Sequence, residues 1–163
     1  MTLVIGLANQ QHTIFISDRR LTRAGKPDDE ESNKAATLVC RDARVAICFS
    51  GLADVPARSI GRAKTFLTRQ WLLEALVESA GPDYLMGPTI SRFCLRATQD
   101  IETLAREHDG IAVKRGQPKL DTRLSVLLGG YSYAEDPPRC YFSLVSNFEK
   151  LDSQQPLAVA STE

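Results

Sequence analysis

Alternation of apolar and polar residues in the first fifty positions predicts two β-hairpins. Segments 2–8 (TLVIGLA) and 12–17 (HTIFIS) are rich in β-branched and aromatic residues, and the chain between them is short enough for a turn. Segments 33–41 (NKAATLVCR) and 44–51 (RVAICFSG) flank a second tight turn. We expect one antiparallel sheet from these four strands, with the polar stretch 23–33 as a solvated loop.

Helical spacing replaces this alternation in the middle of the chain. Residues 68–80 and 89–108 carry apolar side chains every three or four positions, which predicts two helices packed side by side on the sheet. Gly81-Pro82 would end the first helix, and Gly87-Pro88 would precede the second.

Strand character returns at 122–132 and 139–146, separated by the turn-rich YAEDPP, and the final QPLAVAS would begin another strand. The whole pattern predicts an α+β protein of antiparallel sheets flanked by helices.

Charge and composition exclude several partners. The 20 basic and 20 acidic side chains cancel, so a nucleic-acid partner is not expected. No apolar run is long enough to span a bilayer, and no signal-peptide pattern opens the chain, which predicts a cytoplasmic protein without a membrane partner. The four cysteines stand singly, so we expect no metal site and two small core residues at Cys40 and Cys48.

Thr2 is either a strand residue or a nucleophile. A β-branched residue suits a strand, and Met1 would then stay in place. If Met1 is removed, the α-amine of Thr2 can take the proton from its own hydroxyl, provided that the amine is neutral. A nearby buried lysine would lower the pKa of that amine, and the lysine would itself need a carboxylate.

Asp18 and Lys34 supply these two groups at equal intervals after Thr2, each at the predicted end of a strand. Strand ends of an antiparallel meander can meet, and Gly51 after the fourth strand offers a backbone N–H for an oxyanion. The alternative interpretation is a buried Asp18–Lys34 ion pair that only stabilises the sheet. A triad based on His12 or His108 is the weaker hypothesis, because we expect those imidazoles to meet solvent or a helix end.

Thr2, SDRRLT (17–22) with Asp18 and Arg20, Lys34, and FSGLAD (49–54) together resemble proteasome β-type subunits and the related bacterial heat-shock protease subunits. GGYSYAEDPPRCYF (129–142) is similar to a later strand and hairpin of that family. The family belongs to the amino-terminal-nucleophile hydrolases, so the resemblance implies a four-layer αββα sandwich over a single domain, 1–163, that lacks its C-terminal part.

The resemblance also implies a threonine-type peptidase or amidohydrolase with catalytic Thr2, Asp18, Lys34 and Gly51, a supporting Arg20, and no cofactor. Its expected substrate is a peptide or small amide, and its expected partners are further copies in a ring and an ATP-dependent unfoldase. The alternative is a catalytically inactive scaffold or binding subunit of the same family.

Overall fold

A computed structural model describes residues 4–9, 12–17, 21–23, 26–29 and 34–147. Strands account for most of the N-terminal part of these ranges, and helices for most of the middle. In chain order the elements are β1 Val4–Ala8, β2 Thr13–Ser17, β3 Leu21–Arg23, β4 Lys26–Asp29, β5 Ala35–Val39, β6 Ala43–Gly51, β7 Asp54–Val55, α1 Ala57–Ile60, β8 Phe66–Leu67, α2 Thr68–Ser79, α3 Met86–Arg115, β9 Leu124–Ser132 and β10 Arg139–Ser146.

The main sheet has the strand order β10-β9-β6-β5, and every neighbouring pair is antiparallel. β6, a central strand of this sheet, is deeply buried because it is hydrogen-bonded on both sides and covered on both faces. Side chains alternate between the two faces of a strand, so Val45, Ile47 and Phe49 share one face and Cys48 lies on the other.

Helices cover the face that carries Val45, Ile47 and Phe49. These side chains join Trp71 of α2 and Phe93 of α3 in one apolar core, and the two aromatic rings lie 6.2 Å apart. The helices are also joined by a hydrogen bond, since Trp71 Nε1 donates to Asp100 Oδ2 at 2.8 Å. The predicted packing of two neighbouring helices on the sheet is therefore confirmed.

The β1–β2 hairpin covers the opposite face of the main sheet. Phe15 stacks on Phe142 with ring centroids 6.0 Å apart, and Gly129 lies directly beneath the Phe15 ring. A Cβ at Gly129 would approach Phe15 Cζ to 2.5 Å, and a Cβ at Gly6 would approach Phe142 Cε2 to 2.7 Å. Two glycines thus allow the sheets to stack closely, because any side chain at either position would push the hairpin away.

The prediction of a single sheet from the first four strands is wrong. β1 pairs with β2 and β5 pairs with β6, as expected, but the two hairpins belong to separate sheets that stack face to face. The polar stretch 23–33 also contains part of a short hairpin, since Arg23 pairs with Lys26. Hydrophobic alternation identifies strands but does not distinguish a neighbouring strand from one in the facing sheet.

The second helix is longer than predicted. α3 spans Met86–Arg115, so Pro88 lies inside its first turn instead of before it. Proline is tolerated there because the N–H groups of the first turn have no partner within the helix. The helix ends at Arg115 and is capped by Gly116, whose φ of 63° is the left-handed conformation that glycine adopts without strain.

These elements form an α+β architecture in three layers: helices, the main sheet and the β1–β2 hairpin. The outer face of the hairpin carries two cross-strand aliphatic pairs, Ile5 with Ile16 and Leu7 with Ile14. All four side chains are 40% to 60% exposed. Among the described residues, no helix is both long and apolar enough to cross a membrane.

Candidate active site

Lys34 is buried at the start of β5. Only 2% of its surface is exposed. Among the described residues it is the largest fully buried side chain. Its backbone carbonyl accepts a 3.2 Å hydrogen bond from the Phe49 N–H, and its neighbour Ala35 lies opposite Cys48. A lysine is rarely this deeply buried unless it is paired, because removing an ammonium from water is costly.

Ser17 brings the end of β2 to the same place. Its side chain hydrogen-bonds to the thiol of Cys48, the residue that faces Ala35 across β5 and β6. Burial raises the pKa of the Cys48 thiol, and the hydrogen bond from Ser17 opposes this by a smaller amount. Because Val4 is the partner of Ser17 in the hairpin, the start of β1 lies at this end of the sheets too.

Gly51 ends β6 in a conformation that other residues rarely adopt. Its φ is 103°, and a Cβ there would lie 2.1 Å from the backbone oxygen of Arg123. Odd-numbered residues of β6 form hydrogen bonds to the β5 side, as Phe49 does to Lys34. The even-numbered Leu52, just after β6, instead donates its N–H to Arg123 on the β9 side. By this alternation the Gly51 N–H points to the side of β6 on which Lys34 lies.

The predicted site residues fall into two groups. Lys34 and Gly51 are brought together, since Lys34 pairs with Phe49, two residues before Gly51. Thr2, Asp18 and Arg20 lie outside the described residues. Val4 and Ser17, the nearest described neighbours of Thr2 and Asp18, are paired with each other at the same end of the sheets as Lys34.

A row of three hydroxyls crosses this end of the main sheet and was missed by the sequence reasoning. Ser50 lies opposite Ser125, and Ser125 lies opposite Ser146. The Oγ atoms of Ser125 and Ser146 are 3.2 Å apart. Each serine could have been recognised as a polar residue within an apolar strand, but only the register shows that the three are aligned.

The cysteines and His108, which were also candidates, lie in environments typical of structural residues. Cys40 and Cys48 are buried as predicted, with 5% and 1% of their surfaces exposed. His108 is in contact with its neighbour Asp109, the Nδ1–Oδ1 distance being 3.5 Å, and lies far along α3. No group of three or more potential metal ligands occurs within the described ranges.

An apolar groove with a cavity volume of about 70 Å³ lies between α3 and the β9–β10 edge of the main sheet. Trp71, Phe93 and Val145 form part of its wall, and Cys94 opens onto it. Leu124, which also lines the groove, pairs with Gly51 on the side of β6 away from β5. The groove and the buried lysine are therefore on opposite sides of the central strand.

Comparison with known proteins identifies no relative: no family model, curated protein or solved structure matches this chain. The arguments for a function therefore rest on residue chemistry and geometry. The feature that most needs an explanation is the fully buried lysine at the end of two stacked sheets.

Proposed function

We propose that this protein is an amide-bond hydrolase whose nucleophile is Thr2, exposed as the N-terminal residue when Met1 is removed. The Thr2 α-amine takes the hydroxyl proton as Oγ attacks the substrate carbonyl. The same amine then gives a proton to the leaving amine, so an acyl-enzyme forms and the C–N bond breaks. A water molecule, deprotonated by the α-amine, releases the acid and restores the hydroxyl.

The buried Lys34 is the main observation that supports the proposal. A lysine that is 2% exposed lies beside the residue pair that connects the end of β2 to β6. In the proposed mechanism its positive charge lowers the pKa of the Thr2 amine and keeps that amine neutral at pH 7. Asp18, the residue after Ser17, would hold the lysine in place, with Arg20 as a supporting group.

The Gly51 N–H is the proposed oxyanion donor. It points toward the Lys34 side of β6, and the neighbouring Leu52 N–H is already bonded to Arg123. Backbone donors of this kind stabilise negative charge that develops on the substrate oxygen, typically by about 3 kcal/mol for each donor. The groups named in these steps complete the reaction without a metal or an organic cofactor.

An epoxyketone tests the nucleophile directly, because the reagent forms its stable ring only with a free α-amine and the adjacent hydroxyl. We expect the intact mass to show that Met1 is absent and that one inhibitor molecule is bound, with the adduct mapped to Thr2. Thr2→Ala should remove the adduct, and Thr22→Ala, a threonine placed in β3, should retain it. A chain without Met1 that forms no adduct contradicts the proposal.

A second candidate is a catalytically inactive subunit that acts as a scaffold. It is favoured by the exposed aliphatic face of the β1–β2 hairpin, since four neighbouring apolar side chains at a surface are typical of a contact region. An Asp18–Lys34 ion pair would then serve stability alone. Retained Met1 together with an unreactive Thr2 would support this candidate.

The same exposed face supports the finer prediction of a four-layer αββα sandwich. A further helical layer over Ile5, Leu7, Ile14 and Ile16 would remove these side chains from water. Ile14→Asp tests this layer: if it exists, the substitution buries a charge and lowers the melting temperature by several degrees. An unchanged melting temperature means that no layer covers the face.

Assembly and location belong to the same proposal and rest on the resemblance. We propose a cytoplasmic protein that forms a ring of identical copies, cleaves peptides or small amides, and receives substrates from an ATP-dependent unfoldase. Sedimentation velocity of the purified protein tests the ring. A molecular mass of 18.0 kDa at all concentrations would contradict it.

A further inference from the structure

At one edge of the main sheet, the outward backbone groups of Thr37 and Val39 in the outer strand β5 have no partner among the described residues. Two hydrogen bonds in the β5–β6 hairpin show which residues of β5 bond to β6: Phe49 N–H donates to the Lys34 carbonyl, and Cys40 N–H donates to the Ala43 carbonyl. Even-numbered residues from Lys34 to Cys40 therefore bond inward, and Thr37 and Val39 direct their N–H and C=O groups outward. Within the described part of the chain, β6 is the single neighbour of β5.

The usual protection of an edge strand is missing here. Native edges are blocked by charged side chains, proline or bulges, but β5 reads AATLV and pairs with β6 without a break in register. Val39 is 61% exposed, and Thr37 is exposed on the same face. As far as the described ranges extend, the Thr37–Val39 edge is thus uncovered, regular in register and uncharged.

Tyr84 sets the limit of this open edge. Its carbonyl accepts a 2.8 Å hydrogen bond from the Arg41 N–H, the next outward-facing group after Val39. Tyr84 has a φ of 51°, a left-handed conformation that is uncommon for a residue with a side chain. A strand added to β5 can therefore pair with Thr37 and Val39 but cannot continue past Val39.

We propose that a second copy of this chain occupies the edge, with the two β5 strands antiparallel about a two-fold axis at Leu38. Thr37 of each copy then lies opposite Val39 of the other. Each such pair exchanges two backbone hydrogen bonds, so the contact contains four bonds. The two β-branched side chains of each pair meet on one face, a favourable cross-strand combination.

A second copy fits this edge because the edge is complementary to itself. In a two-fold interface both subunits use the same patch, and the outward N–H and C=O groups of Thr37 and Val39 can pair with the same groups of another copy. No charge lies between Ala35 and Val39, and the formal net charge of the chain is +0, so two copies do not repel each other. The contact differs from the head-to-tail contacts that build a ring, and it does not depend on hydrolase activity.

Thr37→Pro tests the contact because it removes an outward N–H and leaves the bonds to β6 intact. Thr37→Ser is the matched control, since it keeps the N–H. Sedimentation velocity from about 1 to about 100 µM should show a concentration-dependent assembly for the natural chain and for Thr37→Ser. The assembly of Thr37→Pro should have half the mass of those formed by the natural chain and Thr37→Ser. Val39→Lys, which places a charge in the contact, should show the same halved mass.

Mixed disulfides test the register. When Thr37→Cys and Val39→Cys proteins are mixed under mild oxidation, peptide mapping should find a disulfide between positions 37 and 39 of different copies. The 37–37 and 39–39 disulfides should be rarer, because those residues lie diagonally across the axis. A monomeric natural chain, an equal mass for Thr37→Pro and Thr37→Ser, or a predominance of the 37–37 disulfide would each overturn the proposal.

Discussion

The Ser17 side chain hydrogen-bonds to the Cys48 thiol and thereby joins the β1–β2 hairpin to the central strand of the main sheet. The contact lies beside Ala35, the residue after the buried Lys34. It positions the end of β2 against β6, at the residue opposite the start of β5, although these elements are separated in the sequence. The candidate active site depends on this stacking of two sheets.

Cys48 should make stability depend on pH in alkaline solution. Burial raises the pKa of its thiol above the ordinary value of 9.0, so the folded protein holds this proton more tightly than the unfolded chain. The resulting stabilisation is complete below pH 9.0 and is lost as the pH rises through the folded value. Urea unfolding of Cys48→Ser should therefore show a smaller fall in the free energy of unfolding above this pH.

The exposed Cys140 provides the control for that comparison. Cys140→Ser should leave the urea unfolding curve of the natural chain unchanged, since this side chain lies at the surface. Cys40 and Cys94 also have pKa values raised by burial, so some of the alkaline loss should persist in Cys48→Ser. Identical alkaline curves for Cys48→Ser and the natural chain would contradict the prediction.

Gly51→Ala should destabilise the fold. The substitution places a Cβ against the Arg123 carbonyl at a backbone φ of 103°. Strain of this kind costs about 1–3 kcal/mol, and displacement of the β9 backbone adds to it. Gly110→Ala is the matched control, because Gly110 lies inside α3 with no atom close to the added Cβ. We expect the control to gain about 0.5–1 kcal/mol in urea unfolding.

Asp100→Ala should weaken the contact between α2 and α3. Asp100 accepts hydrogen bonds from Trp71 Nε1 at 2.8 Å and from Arg96 Nε at 3.2 Å. Without the carboxylate the buried indole N–H loses its partner, which costs about 1–3 kcal/mol. Asp100→Asn keeps an acceptor and should lose less. Chemical denaturation followed by Trp71 fluorescence compares the two, and equal losses would show that the Trp71 bond is not the cause.

Lys34→Met separates catalysis from folding. A methionine has nearly the shape of lysine without its charge, but removing one partner of a buried ion pair costs about 3–5 kcal/mol of stability. Circular dichroism therefore has to establish that the variant is folded before its reaction is measured. The rate of Thr2 modification by the epoxyketone at pH 7 should fall by about 5- to 10-fold, because an α-amine at its ordinary pKa of about 7.7–8.0 is mostly protonated there.

Lys64→Met is the control for this substitution, since Lys64 is exposed. It should leave both folding and the reaction of Thr2 unchanged. A folded Lys34→Met protein that reacts at the normal rate would remove Lys34 from the mechanism and leave its burial as a feature of stability.

The local pattern of apolar and polar residues predicted most of the described strands and helices. The β-branched alternation of TIFIS and AATLV indicated strands, and both antiparallel pairings are confirmed. The helix predicted over 68–80 is confirmed as Thr68–Ser79, since apolar spacing and the following Gly81-Pro82 both act within a few residues. The start of α3 was misplaced because Pro88 is as compatible with a first helical turn as with a preceding loop.

The candidate site could be predicted from the sequence only as a set of chemical groups. Lys34 and Gly51 were selected for charge and backbone chemistry, and their proximity follows from the β5–β6 register. The serine row of Ser50, Ser125 and Ser146 was not recognised, because strands far apart in the chain bring these residues together. Thr2, Asp18 and Arg20 stay predictions.

The amino-acid sequence by itself determined the strands, the helices and their apolar faces, because these depend on propensities and periodicities that act over a few residues. Only the tertiary structure decided that the first hairpin stacks on the main sheet instead of extending it. The reason is physical: Gly6 and Gly129 leave space for Phe15 and Phe142 to pack between the sheets. That long-range packing brings Ser17 to Cys48, which lies opposite Ala35, the residue that follows the buried lysine.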